Sequence, residues 1–507
     1  MMPGIVPRME AGLTRTAAAL LTVAAMLGGA EAQQSDTDRL KEVVVTPVSI
    51  SSAPRPVGSG ARALGMSAFT AIADDATAAS WNPAGLIQLE RPEVSGAMSY
   101  LSRSEDFSST NPRLSLDPGD MTSTDINYLS GVLPFRLFKT NFVASVNYQQ
   151  VYSFDRTLHF TDFVRSREVT TENLAPGLAI RTDVRSETAS DIHFTQDGSI
   201  YAITPALAVQ ITPRLSFGAA VNLYRNRLTE GNTFTENTHV RWSQGTDIRL
   251  RLLGLPSAVQ PEPMRIFSEG EQSEFKEFSD VEGANLTLGG LWNVTGKLTL
   301  GLTADLPYTL DMKEKVTLRA EPTRTVDQDG RVTFSRSPYE GIPPVESNVE
   351  YDFPLTLGLG AAYRFSDAFS IAADLSWSDW SNFVFRKEDG TEVNPLNHDT
   401  MADDGKLDPV KDTWAARLGA EYLFIFKKTV IPVRAGIFLE QQPGVNHADD
   451  IYGASLGTGI SIGNVIFDVA YQARFGNNVL KSVFSNVEGT DADTVEHLVF
   501  ASVIVHF

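Results

Sequence analysis

Residues 212–224 read Thr-Pro-Arg-Leu-Ser-Phe-Gly-Ala-Ala-Val-Asn-Leu-Tyr. After the Thr212-Pro213 turn, Leu215, Phe217, Ala219, Val221 and Leu223 fall on one side of an extended chain. Ser216, Gly218, Ala220, Asn222 and Tyr224 fall on the other. Side chains of a strand change face at every residue, so this segment has one apolar face and one small or polar face. The pattern recurs. Leu286, Leu288, Gly290, Trp292 and Val294 alternate with Asn285, Thr287, Gly289, Leu291 and Asn293. Leu298, Leu300, Leu302, Ala304 and Leu306 alternate with Thr299, Gly301, Thr303 and Asp305, and Phe369 to Trp377 repeats the scheme.

Fourteen such segments lie near 92–102, 124–135, 141–153, 200–211, 214–228, 283–294, 297–310, 351–364, 368–380, 412–425, 430–440, 451–462, 464–476 and 494–507. Most reach the roughly 9–11 residues that a tilted membrane-spanning strand needs. Their connections alternate between tight turns, as at Thr212-Pro213, Thr295-Gly296 and Ser366-Asp367, and long polar stretches near 154–199, 229–282, 311–350 and 381–411. Short periplasmic turns, long external loops and an even strand number define an outer-membrane barrel, and a soluble sandwich has no cause to alternate in this way. The expected fold is all-β: a 14-stranded antiparallel transmembrane β-barrel over 92–507, in the cell outer membrane of a Gram-negative type. The last segment ends on Phe507, which resembles the sorting signal read by the barrel-assembly machinery. Trp292, Trp377, Trp380 and Tyr422 are expected in the interfacial aromatic girdles.

Composition agrees. The chain has 507 residues, no cysteine, a net charge of -20 and a mean hydropathy of -0.11. No run reaches the roughly 18 apolar residues of a spanning helix, whereas alternating strands keep average hydropathy low. The acidic balance, without Lys or Arg clusters, excludes nucleic acid as a partner. At the N-terminus, Arg8 and Arg15 precede an apolar run from Ala17 to Leu27, and Ala30 and Ala32 have the small-residue spacing of a cleavage site. Residues 1–32 therefore read as a signal peptide and 33–57 as a flexible periplasmic arm. Residues 58–91 are rich in Gly and Ala and not strand-like. Asn82 before Pro83 marks a helix start, and Asp74 and Asp75 suit a turn or cap. A barrel of about 14 strands encloses more space than wall side chains fill, so 58–91 is expected as a hatch in the lumen.

The run Ala71-Ile72-Ala73-Asp74-Asp75-Ala76, then Asn82-Pro83-Ala84, then Arg91-Pro92 and Ser95, resembles the hatch of FadL/TodX-type outer-membrane transporters of long-chain fatty acids and hydrocarbons. Residues 354–363, 373–380, 417–422 and 432–436 resemble later blocks of the same family. The resemblance implies a 14-stranded barrel with an N-terminal hatch. It implies uptake of long-chain fatty acids or other hydrophobic compounds, bound in the lumen and released sideways through the wall, with outer-membrane lipid and lipopolysaccharide as surroundings. It makes Asp74, Asp75, Asn82 and Pro83 gating or plug-holding residues. The third segment, Asn141 to Tyr152, has no Gly or Pro that would mark a kink, so the residues do not locate the exit.

On the polar faces of late strands, Arg417, Glu421, Arg434 and Glu440 point into the lumen. Either Arg417 or Arg434 could hold a carboxylate by two parallel hydrogen bonds, and an ion-pair network is the alternative reading. Glu42 to Pro47 resembles the energy-coupling box of receptors driven by the TonB system, where a Val-rich strand adds to a partner's sheet. The acidic stretch 262–282 reads as a solvated external loop, and Asp327 to Gly330 as a turn. No enzyme signature emerges: the seven histidines lack metal spacing such as HExxH, and no GxSxG elbow occurs. No cofactor or metal is expected. The alternatives to a channel are a barrel scaffold or attachment protein of a secretion system, and an outer-membrane lipase.

Overall fold

Inside lipid every backbone N–H and C=O must find a partner within the protein, so a strand can cross only as part of a closed ladder. The computed structural model, which describes residues 55–507 apart from 177, 226–231, 256–259, 338, 397–409, 446, 482 and 485–488, closes that ladder. The signal peptide, and the coupling-box resemblance at 42–47, lie outside the described residues. Fourteen strands form the ring: β1 Glu93–Ser109, β2 Gly119–Leu137, β3 Thr140–Ser153, β4 Leu178–Thr212, β5 Leu215–Arg225, β6 Met264–Asn293, β7 Leu298–Asp305, β8 Thr356–Arg364, β9 Phe369–Ser378, β10 Thr413–Ile425, β11 Thr429–Gln442, β12 Asp449–Ile462, β13 Val465–Val479 and β14 Thr490–His506. Each pairs antiparallel with the next. β1 and β14 close the ring from Glu93↔His506 to Ser109↔Thr490.

The alternation points as expected. Phe217, Leu288, Leu302, Leu359, Leu418, Ile437, Leu456 and Phe467, from eight different strands, are exposed and form an apolar outer band. Residues of the opposite face, Ser216, Thr287, Thr303, Asp374, Glu421, Arg434, Ser455 and Asp468, are buried within the barrel. Trp292, Trp414 and Tyr422 stand on the exposed surface as a girdle requires. Trp380 does not: the chain leaves β9 in a short 3-10 turn that buries it in an inner aromatic cluster.

The long polar stretches are not loops for most of their length. Arg156–Ala175 pairs with β4 from Arg156↔Gln196 to Ala175↔Leu178, and Thr233–Leu253 pairs with β4 and β6. Tyr308–Ala320 pairs with β6 and with Val345–Phe353. The sheet therefore continues beyond the bilayer. Above the lipid an outer face need not be apolar, so the signal of a spanning strand vanishes while the ladder goes on. The inner face keeps apolar residues, with Leu158, Phe160, Ile192, Phe194, Val240 and Trp242 buried. Pro307 and Pro354 break what read as single strands, because proline donates no ladder bond.

Residues 58–91 pack inside the ring. They form α1 (Ala61–Met66), α2 (Ala78–Trp81) and a 3-10 helix (Pro83–Gln88). The wall meets them at inward-facing glycines on β5, β6, β7, β8, β10 and β11. A Cβ at Gly218, Gly289, Gly301, Gly360, Gly419 or Gly436 would lie under 3.0 Å from an atom of this segment. Such contacts leave no room for any side chain, so the glycines are the mould of the plug. Gly419→Val, aimed at the Met66 carbonyl, should lower the thermal stability of the folded barrel by about 1–3 kcal/mol, the usual cost of overpacking. Gly131→Val, where a Cβ meets nothing within 4 Å, should not. Equal unfolding temperatures for the two variants would remove the glycines from this role.

Candidate functional site: the plug and the cavity above it

The plug is held by polar groups that its own sequence and the wall supply together. Asn82 is fully buried. Its Oδ1 accepts from Ala84 N at 3.1 Å and starts the 3-10 helix, with Pro83 at the first helical position. Its Nδ2 donates to Thr70 O at 2.9 Å and to Gly290 O of β6 at 3.2 Å. One side chain thus caps a helix, ties two parts of the plug and fastens both to the wall. Asp75 accepts from Thr77 N at 2.9 Å and Thr77 Oγ1 at 2.5 Å. Burial raises its carboxyl above the usual range, opposed by Arg62 and the Thr77 bonds. Asp374 of β9, which sequence reading missed, accepts from Phe69 N at 2.6 Å, Thr70 N at 2.9 Å and Thr70 Oγ1 at 3.0 Å. Glu93 accepts from Ala76 N, and Tyr128 donates to Ala76 O.

Charges make the second fastening. Arg62 of α1 pairs with Asp74 and holds Glu421 through two bonds of 3.2 Å. Glu421 also accepts from Arg434 Nε at 2.8 Å, and Arg434 Nη1 donates to Asp468 at 2.5 Å. The chain Asp74–Arg62–Glu421–Arg434–Asp468 runs from plug to wall. Arg434 is therefore not free for a ligand: it is 4% exposed and both its partners are carboxylates. Alternation along one strand placed it in the lumen, but only the fold shows that the lumen is occupied at its height.

Above the plug lies a cavity of about 510 Å³. Ser59, Gly60, Ala63, Leu64, Thr70 and Trp81 form its floor. One side carries Tyr152, Tyr224, Tyr308 and Phe353. The Tyr152 and Tyr308 hydroxyls are 2.7 Å apart, and the Tyr152 and Tyr308 rings each stack on Phe353 at about 5 Å. The opposite side, built by β1 and β10–β14, carries Arg103, Arg417, Arg474, Glu440 and Glu496, joined by Arg55 and Arg156. Arg417 donates to Glu440 at 2.9 Å. Arg474 pairs with Glu440 and Glu496, Arg103 with Glu496, and Arg55 with Glu496 and Glu105. Arg156 also reaches Glu105. Five arginines share three glutamates in this network, and Asp125, Asp305, Asp374 and Asp449 also line the cavity.

The wall has a break beside this cavity. β2 and β3 pair from Leu137↔Thr140 only as far as Tyr128↔Gln149. Above that level β2 continues with β1 and β3 with β4, but not with each other. Bulges at Asn127 and Val151 turn the two strands apart, each by one unpaired residue. Residues 55–57 fill part of the vacant edge: Arg55 and Pro56 pair with Ser153 and Tyr152, and Val57 N donates to Val151 O at 3.0 Å. Gly and Pro were the expected marks of such a break. The bulges need neither.

The comparisons agree with this architecture. Residues 56–452 match the family of outer membrane transport proteins described as OMPP1/FadL/TodX. The chain belongs to this family. It is an outer-membrane barrel of the FadL/TodX hydrophobic-compound transporters, which are channels rather than enzymes. The structure of a Pseudomonas aeruginosa FadL homologue superimposes with a TM-score of 0.50 at 15% identity, over 90% of this chain and 100% of that one. The Pseudomonas putida toluene transporter TodX gives 0.46 at 15%, over 89% and 99%. The Ralstonia pickettii toluene transporter TbuX gives 0.42 at 14%, over 89% and 98%. A search of curated proteins finds no sequence match.

Arg62→Ala would leave Glu421 short of one partner in a buried network, a loss of about 3–5 kcal/mol in such settings. The plug of this FadL/TodX-family barrel should then seat poorly. Single-channel recording in planar bilayers should show a larger and noisier conductance than the parent protein. An unchanged trace would mean that Asn82 and Asp374 hold the plug without it.

Proposed function

We propose that this protein takes up hydrophobic molecules that carry an anionic head group, long-chain fatty acids first among them. One observation carries the reading: the cavity sets four aromatic rings against a network of five arginines and three glutamates. An uncharged hydrocarbon has no use for the second side. An amphipathic acid uses both, with its chain on the rings and its carboxylate among the guanidiniums, where bidentate bonding is available. Within the network Arg417, Arg474 and Arg156 are the candidate head-group residues, and Arg434 serves the plug.

In this reading the apolar inner face of the external sheet collects the molecule and the cavity binds it above the plug. Asp74, Asp75, Asn82 and Pro83 act as the plug's hinge and anchor points. The break between β2 and β3 supplies the sideways exit, with residues 55–57 as its movable filler. Tyr148 and Tyr201 stack at 5.1 Å on the outside of this region, and Tyr201 Oη donates to Asp125 at 3.2 Å across the break. Aromatic rings at such a site suit the boundary between headgroups and acyl chains.

The first test is uptake of a labelled long-chain fatty acid by cells lacking their own transporter, with and without this protein, beside the alcohol of the same chain length. Saturable uptake of the acid over the alcohol is expected. Arg474→Gln should weaken the acid by about 1.5–3 kcal/mol, on the order of tenfold to a hundredfold, and leave the alcohol alone. Equal handling of acid and alcohol would sink the head-group assignment. No uptake of either by a correctly inserted barrel would favour the scaffold role. The exit is tested separately. The natural chain has no cysteine, so Asp125→Cys can be labelled alone with a bulky maleimide. Uptake should fall to the empty-cell background, and persistence of uptake would place the exit elsewhere.

A further inference from the structure

Three of the seven histidines stand in one row across the external sheet. His159 on Arg156–Ala175 is paired with His193 on β4, and His193 is paired with His239 on Thr233–Leu253. All three face outward, because their chain neighbours Leu158, Phe160, Ile192, Phe194 and Val240 are the buried ones. The row stands clear of the bilayer. His193 lies about 18 residues above Ile211 at the turn end of β4, roughly 60 Å along the strand at about 3.3 Å per residue. That exceeds the apolar band of about 25 Å even after a tilt of about 45°.

At the first two positions the side chains converge on Asp191. His159 Nε2 lies 2.6 Å from Asp191 Oδ1, and His193 Nε2 lies 3.8 Å from Asp191 Oδ2. The rings stack at 3.8 Å. Among the described residues this is the one group of three histidine or carboxylate side chains whose ligand atoms gather within 4.8 Å of one another. Ligand atoms around one tetrahedral ion at about 2.0–2.2 Å lie roughly 3.3–3.6 Å apart, a separation that small side-chain rotations reach from the observed 2.6 Å and 3.8 Å, each to a different oxygen of Asp191. A hydrogen bond explains the shorter spacing but not the longer one, nor why a second imidazole turns the same nitrogen toward the same carboxylate.

A fourth residue supplies what a metal-binding imidazole needs behind it. His159 Nδ1 lies 2.7 Å from Asp117 Oδ2, and Asp117 N donates to His159 O at 3.0 Å. A carboxylate on one ring nitrogen fixes the tautomer and turns the other nitrogen toward the ion. His159 and Asp191 are 37% and 40% exposed, so an ion can enter from outside.

We propose that His159, His193 and Asp191 form an external binding site for a divalent transition cation of the zinc class, oriented by Asp117. Imidazole with carboxylate selects such ions over calcium or magnesium, which prefer all-oxygen sets. The bound ion ties β4 to the strand beside it and to the segment carrying Asp117. It leaves at least one coordination position open to the medium.

The test uses the full barrel in detergent, stripped by chelation and titrated with Zn²⁺ in a calorimeter. One saturable equivalent per chain is expected. His193→Ala should weaken it by more than about tenfold, as the loss of one ligand. Asp117→Asn should weaken it on the order of 10–100-fold, as removal of an outer-shell partner does. His447→Ala, outside the site, should leave it unchanged. Heat-modifiable mobility on gels shows that each variant keeps its barrel. No saturable equivalent overturns the proposal, and so does an equivalent that survives His159→Ala combined with His193→Ala.

Discussion

Closure of the backbone ladder governs this molecule. Lipid offers no partner to an N–H or C=O, so the fourteen strands must form a ring, and the first and last pair along the whole of β1. A ring of that size leaves a space too wide for wall side chains to fill and too small to serve as an open pore. The plug follows from that space. So do the glycines that admit it and the charges that hold it.

The plug and the wall are one structure built from two distant parts of the sequence. Asn82 and Arg62 come from the first hundred residues, while Gly290, Asp374, Glu421 and Arg434 come from the second half of the chain. The arrangement is firm because its polar groups answer one another and because Phe69, Leu86 and the plug's alanines pack on Tyr128, Val132, Val143 and the alanines of the wall. The same economy shapes the cavity. Arginines and carboxylates interlock over one part of its lining, and four aromatic rings cover another.

The break between β2 and β3 shows how a closed ladder can be interrupted over part of its height. Pairing holds in the lower part of the two strands, where lipid demands it, and stops above Tyr128 and Gln149. A bulge costs one unpaired residue per strand, far less than a severed strand, and redirects the two chains. Residues 55–57 then meet a free edge, which any extended segment can join.

Period-two alternation alone determined the strands, their number and which face meets lipid, because a spanning strand must be apolar on one side and cannot be on the other. Asn82-Pro83 also revealed its helix start, since capping is a local matter. Three things were settled only by the tertiary structure. The sheet above the membrane has the sequence of polar loops, because outside lipid the alternating signal is not required. Arg434 alone leaves a head-group contact and an ion-pair network both open, because its inward direction is a property of one strand whereas its burial depends on what else fills the lumen. His159, Asp191, His193 and Asp117 have no telling spacing along the chain. Strand register brings them together, and register is a relation between segments that no single segment contains.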